Sequence, residues 1–192
     1  MSYTLIVISG PPASGKTYLA KKLAEYLVWP VFRKDDFKEL LYDQFEEIDL
    51  ALTRKLGKIS HLNLEFVSEA LISKGVSHII EANFDSRLFS PYLQGLKKRY
   101  NFNIIEVNLS CEGTVLLKRF IKREQDGKQH PGHQGLRFLE QIRPILLRGR
   151  LPLLAVESEK IQVDTTDFQN IDYNDLFKQI EIIINSTQYL TP

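Results

Sequence analysis

Five short apolar runs of β type recur along the chain: TLIVIS (4–9), PVFR (30–33), SHIIEA (77–82), FNIIEVNL (102–109) and KIQV (160–163). None alternates strictly between apolar and polar positions. A strand exposed on one face would alternate, so these runs read as strands covered on both faces. Between them the apolar spacing lengthens to that of helices. Residues 16–27 carry Leu19, Leu23 and Leu27 four apart. Residues 50–74 place Leu52, Leu56, Ile59, Phe66 and Ala70 along one side before Gly75. A helix over 91–99 is expected to open with Pro91 at its first position, and further helices are expected over 113–124 and 172–187. Asp172 is the expected N-cap of the last. Strand and helix alternate, which predicts an α/β three-layer sandwich with a five-stranded parallel sheet. In such sheets ligands bind beyond the carboxyl ends of the strands, so chemistry is to be sought where each run ends.

The first run ends in GPPASGKT, residues 10–17, which fits G-x-x-x-x-G-K-[ST] in full with a strand before it and a helix after it. A loop of this kind wraps its backbone N–H groups around phosphate, and glycine permits turns that a Cβ would obstruct. The prolines have no N–H and must face away from the anion. The expected nucleotide site comprises Gly10, Pro11, Pro12, Ala13, Ser14, Gly15, Lys16, Thr17 and Tyr18. Lys16 is expected on the β- and γ-phosphates and Thr17 on Mg2+, with the helix N-terminus adding a favourable dipole. ATP and Mg2+ are therefore the expected cofactors. The chain lacks Asn-Lys-x-Asp, a strand ending in Asp-Glu, and any Gly-Gly pair. Those absences argue against GTPases, ATPase motors and a shikimate-kinase-type glycine triplet, and leave a small kinase as the best reading.

The other strand exits supply candidates. The second leads into FRKDDFKELLYD, placing Asp35 and Asp36 beside the phosphate loop. Asp35 is the candidate base or metal ligand, and Asp36 the candidate helix cap. The third ends in HIIEANFD, where Glu81 stands as a further metal-side carboxylate, and Asn83 and Asp85 read as turn residues. The fourth leads to KRFIKREQDGKQHPGH, with Arg119 and Arg123 on one helix face ahead of a Gly-, His- and Pro-containing segment. This reads as a lid over about 119–136 that swings two guanidiniums onto phosphate oxygens. His130 and His133 have no Cys or His cluster around them, which favours contact with substrate or phosphate over zinc. Asp164–Thr166, after the fifth strand, would lie on the adenine side or form an ordinary turn.

Composition changes this picture little. Of 192 residues 43% are apolar and 26% charged, enough for one domain spanning 1–192. The one cysteine, Cys111, excludes an internal disulfide, and neither a leader nor a spanning helix is evident, so a cytoplasmic protein without membrane contact is expected. Net charge is +1, yet residues 118–150 hold nine Lys/Arg against three Asp/Glu. The positive bias falls on the expected lid, and the remainder is net acidic, which disfavours an extended nucleic-acid partner but not a short end.

On GPPASGKT, DDFK and the Arg-x-x-x-Arg of the lid helix, the chain resembles the small P-loop kinases that include polynucleotide 5′-hydroxyl kinase, zeta-toxin and chloramphenicol phosphotransferase. Its HPGH and DTT stretches are similar to those of bacterial predicted kinases. The resemblance implies that Asp35 is the base for an accepting hydroxyl, and that Arg119 and Arg123 are the paired lid arginines. The motif's final Arg is Lys38 here. The implied activity is transfer of the γ-phosphoryl group of ATP to a hydroxyl of a small-molecule or nucleotide-like acceptor. Two alternatives remain open: a regulatory ATP-binding module, and a zeta-type toxin acting on a sugar nucleotide with an antitoxin-type protein partner.

Overall fold

The first strand, β1 (Thr4–Ser9), is buried at all six positions, as a doubly covered strand must be. In the computed structural model, which describes residues 3–127, 129–133 and 135–188, it is the middle of a sheet ordered β2-β3-β1-β4-β5, all parallel. The others are β2 (Val31–Arg33), β3 (His78–Ala82), β4 (Asn103–Ser110) and β5 (Glu159–Asp164). Residues 128 and 134, within the expected lid, and the chain ends 1–2 and 189–192 lie outside the described residues. Register places Ser9 beside Ala82 on one side and Asn108 on the other, so β1, β3 and β4 deliver their exits at one level.

Among the described residues there are seven α-helices: α1 (Lys16–Leu27), α2 (Lys34–Tyr42), α3 (Leu50–Ile72), α4 (Ser86–Arg99), α5 (Gly113–Gln125), α6 (Leu139–Arg148) and α7 (Tyr173–Gln188). On one face Ile6 and Ile8 pack with Leu19 and Leu23 of α1 and Phe177 and Ile180 of α7. On the other, Leu5 and Val7 pack with Leu64 of α3, and with Phe89 and Leu93 of α4. Cys111, Leu116, Phe120 and Leu146 form a small third cluster that joins α5 to α6.

Two helices differ from the periodicity reading. The buried face of α3 is Thr53, Leu56, Ser60, Leu64, Ser68 and Ile72, while Phe66 is 76% exposed and Ala70 is also exposed. The apolar stripe misled because half of the buried face is Ser and Thr. Ser60 satisfies its hydroxyl on the Leu56 carbonyl, and Ser68 bonds His78. Helix α4 starts at Ser86 rather than Pro91, because the Asp85 carboxylate accepts from the Arg87 N–H at 3.0 Å and caps it. Helix α6 was not foreseen, since Pro144 interrupts its pattern. Asp172 caps α7, accepting from the Asp175 N–H at 3.0 Å.

One buried acid fastens the path from α6 to β5. Glu106, on β4, takes the Leu154 N–H on both carboxylate oxygens at 3.1 and 3.0 Å, and burial pushes its carboxyl up. Ser86 and Ser90 of α4 hold the flanking Leu153 carbonyl and Ala155 N–H.

Candidate active site

The phosphate-type loop runs from β1 to α1. Gly10, Ala13 and Gly15 all have positive φ, of 152°, 64° and 90°. A Cβ at Gly10 would lie 2.8 Å from the Leu109 carbonyl oxygen, so only glycine fits there. Ala13 is a non-glycine residue held in the left-handed region, a conformation that concentrates at ligand loops. Lys16 is buried, and its ammonium turns back to donate to the Pro11 carbonyl at 2.8 Å. Burial pushes that ammonium down, while the Glu81 and Asp35 carboxylates work against the shift. The Ser14 hydroxyl is buried with no hydrogen-bond partner among the described residues.

Three strand exits converge beside this loop. From β3 comes Glu81, buried, whose carboxylate accepts the Thr17 hydroxyl at 3.1 Å. Burial raises its carboxyl and Lys16 opposes. From β2 comes Asp35, at the start of α2. Burial by itself would raise its carboxyl, but the Lys34 ammonium at 2.6 Å, aided by His133 and Lys16, overrides this and holds it at about 2. Asp36 is not a cap. It pairs with Arg33, whose Nε lies 2.8 Å away, and α2 has no side-chain cap at all. The two adjacent acids are separated by helix geometry: one enters the cleft and the other grips the strand end.

From the far side come α5 and the segment after it. Arg119 and Arg123 both line the cleft, but in different surroundings. The Arg119 guanidinium donates to the Thr165 and Thr166 carbonyls at 2.6 and 2.8 Å and lies 4.0 Å above the Phe168 ring. Arg123 lines the cleft beside the loop, paired with Glu124 at 3.2 Å, and its Nε is buried without a partner among the described residues. Beyond α5, His130 meets Asp43 at 3.0 Å and His133 meets Glu39 at 2.7 Å, so this segment bridges to α2.

The cleft, open to solvent on one side, holds about 920 Å3. Pro12, Ala13, Gly15, Lys16 and Thr17 line it, together with Asp35, Glu81 and Asn83. Tyr18, by contrast, sets its ring edge-on to Tyr173 of α7. Asp85, expected as a turn residue, is the N-cap of α4, and Asp164 closes a turn on Thr166. Lys38, named from sequence only as the motif's final position, lines the cleft, and sequence reasoning missed Glu39, Glu124 and Phe168 there. Glu39 was legible as the position one helical turn after Asp35. Phe168 had no periodic signal, because it sits on a three-residue 3-10 turn, Phe168–Asn170. Lys38 is buried, without a hydrogen bond or ion pair among the described residues, and burial followed by Lys34 repulsion pushes its ammonium down to about 8.

Among the described residues no helix is long and apolar enough to cross a membrane. No curated protein sequence matches the chain. Among solved structures, a protein from Chloroflexus aurantiacus whose assignment as a kinase is provisional superposes with a TM-score of 0.82 at 29% identity, covering 96% of this chain and 97% of that one. Shikimate kinase from Acinetobacter baumannii (TM-score 0.54, 18% identity, 100% and 97% coverage) and a gluconokinase from Sinorhizobium meliloti (0.54, 13%, 100% and 98%) share the fold. The α/β architecture is that of P-loop kinases. Residues 5–145, from the first strand through the phosphate loop and α5 into α6, match the family model described as AAA domain, and the chain belongs to that family, AAA_33.

Proposed function

We propose that this protein is an ATP-dependent phosphotransferase that moves the γ-phosphoryl group to a hydroxyl of a small-molecule or nucleotide-like acceptor. The observation that carries the reading is the convergence of Lys16, the Thr17–Glu81 pair and Asp35 on one cleft from three strands, with Arg123 facing them. In this reading Lys16 turns from the Pro11 carbonyl onto the β- and γ-phosphates, and Arg123 uses its unpaired Nε on the charge that develops in transfer. Thr17, Glu81 and Asp35 offer hard oxygen donors of the type Mg2+ takes, with phosphate and water completing its shell. Bound there, Mg2+ would neutralise phosphate charge.

Asp35 is set up more for holding than for stripping a proton. A carboxyl held at about 2 is a weak base, but it accepts a hydrogen bond from the acceptor hydroxyl and aligns the oxygen. Phosphoryl transfer through a loose transition state asks little more of it. The acceptor would lie between α2 and the exit of β3, near Lys38, Glu39 and Asn83.

The test is a screen of ATP consumption over nucleosides, sugars, sugar nucleotides, antibiotics and oligonucleotide ends, with product masses read directly. Asp35→Asn, which replaces one accepting oxygen with a donor and misaligns the hydroxyl, should lower transfer to the responding acceptor about 10²-fold while Mg–ATP affinity persists. If Asp36→Asn abolishes transfer and Asp35→Asn does not, the wrong carboxylate has been chosen. Slow hydrolysis with no phosphorylated product from any class would favour a regulatory ATP module. Product only from sugar nucleotides would favour the zeta-type reading.

A further inference from the structure

Glu124 follows Arg123 on α5 and lines the same cleft, with only 7% of its side chain exposed. A carboxylate that deep needs donors to replace the water it has lost. It has two. Oε1 takes the Arg123 guanidinium at 3.2 Å, and Oε2 takes the backbone N–H of Gly135 at 2.9 Å. Residues one apart on a helix do not face each other, so adjacency alone would not hold Glu124 on Arg123. The bond to Gly135, 11 positions further on, fixes the carboxylate from outside the helix.

Gly135 opens a 3-10 turn, Gly135–Phe138, and is buried against that carboxylate. A Cβ at Gly135 would overlap the Glu124 carboxyl group, whose carbon and two oxygens would be its three nearest neighbours. Gly135 does not have positive φ, so alanine suits its backbone and only the carboxyl group stands in the way. The Arg123 guanidinium has a second support, the Phe120 ring, which lies 5.3 Å from it and is itself buried. Its Nε is buried and unspent among the described residues. Across the cleft on α2, Lys38 feels the same carboxylate, which works against the burial that pushes its ammonium down.

We infer that Glu124 is a positioning residue for Arg123: braced on the Gly135 N–H, it fixes the guanidinium so that the donors not spent on Glu124 meet the phosphoryl group in transfer. The inference rests on the phosphotransferase reading for the charge that Arg123 meets. A donor fixed in advance needs no rearrangement at the moment of reaction, so its placement raises turnover more than it tightens binding. The 3-10 turn then does two jobs at once, since its Phe138 walls the cleft while its Gly135 braces Glu124.

The experiment compares wild type with Glu124→Ala, Glu124→Gln, Gly135→Ala and the Glu124→Ala/Gly135→Ala double variant. One readout is the 15N NMR signal of the Arg123 side chain, identified by its loss in Arg123→Lys. The other is Mg–ATP turnover, with water and with any acceptor that responds in the screen. The guanidinium should rotate slowly in wild type and freely in Glu124→Ala and Gly135→Ala. In both variants kcat should fall about 10–10²-fold, as for a displacement of about 1 Å, with KM for ATP changed by less than about threefold. Glu124→Gln keeps an accepting oxygen for Gly135 and should lose less. In the Glu124→Ala background Gly135→Ala should cost nothing further, because no carboxyl group is left to displace. A guanidinium that rotates as freely in wild type as in Glu124→Ala would overturn the inference, whatever the turnover. So would a full further loss from Gly135→Ala in the Glu124→Ala background, or a rise in KM that accounts for the loss. A gain in turnover on removing the carboxylate would overturn it too, making Glu124 a restraint on Arg123. If wild type turns over no ATP, or Lys16→Ala binds Mg–ATP as wild type does, the parent reading fails, while the NMR comparison still decides whether Glu124 fixes Arg123.

Discussion

Lys38 carries a burial cost that the exposed lysines of this chain do not. Burial, with Lys34 beside it, pushes its ammonium down from the ordinary 10.5 to about 8. Below pH 8 both the folded and the unfolded chain hold the proton, and the full cost of the buried charge is present. Between pH 8 and 10.5 the unfolded chain keeps the proton and the folded chain has released it, so this residue's contribution to stability improves as pH rises. Lys38→Met removes the charge at similar length. Its melting temperature should exceed that of wild type by a few degrees at pH 7, and the gap should shrink by pH 9.5. A gap that widens with pH in scanning calorimetry would contradict the assignment. At this scale the sequence was informative about identity and silent about partnership. The phosphate-loop residues were legible because their spacing is itself the geometry. That Asp35 pairs with Lys34 while Asp36 pairs with Arg33 was not, because it depends on where β2 stops and α2 starts.

At the scale of elements, close backbone approach between the start of α5 and the end of α6 adds to the side-chain cluster that joins them. Gly149 ends α6 with φ 73°, and a Cβ there would meet the Cys111 carbonyl oxygen at 2.1 Å. The same approach lets the Gly149 carbonyl accept the Cys111 N–H at 2.9 Å. Gly149→Ala therefore combines left-handed strain with a backbone clash and should cost about 2–4 kcal/mol in denaturant unfolding. Gly127 has a similar φ of 64° but open space around it, so Gly127→Ala should cost only about 1 kcal/mol. Equal losses would mean that the approach at Gly149 is not tight. Elements whose apolar spacing was clean, such as α1, were legible. Helix α3 was legible in extent and mistaken in face, because its burial runs through Thr53, Ser60 and Ser68, which hydropathy counts as polar.

For the molecule as a whole, the segment after α5 crosses the cleft and is held on α2 by His130 on Asp43 and His133 on Glu39. Partly exposed pairs of this kind contribute about 0.2–1 kcal/mol each, so a His130→Ala/His133→Ala double variant should raise tryptic cleavage at Arg137 by about 2–10-fold. The overall melting temperature should barely move, since neither histidine belongs to the sheet core. Equal cleavage rates would show that these pairs do not hold the segment. The sequence by itself determined the five strands, the parallel α/β layering and the phosphate loop, because strand burial and loop geometry are written in local spacing. The tertiary structure alone decided which face of α3 is buried, that Arg119 turns to Phe168 while Arg123 stays by the loop, and that the histidines meet carboxylates 87 and 94 positions away. Such contacts join residues distant along the chain, and their partners are set by how helices dock on the sheet, which local periodicity does not encode.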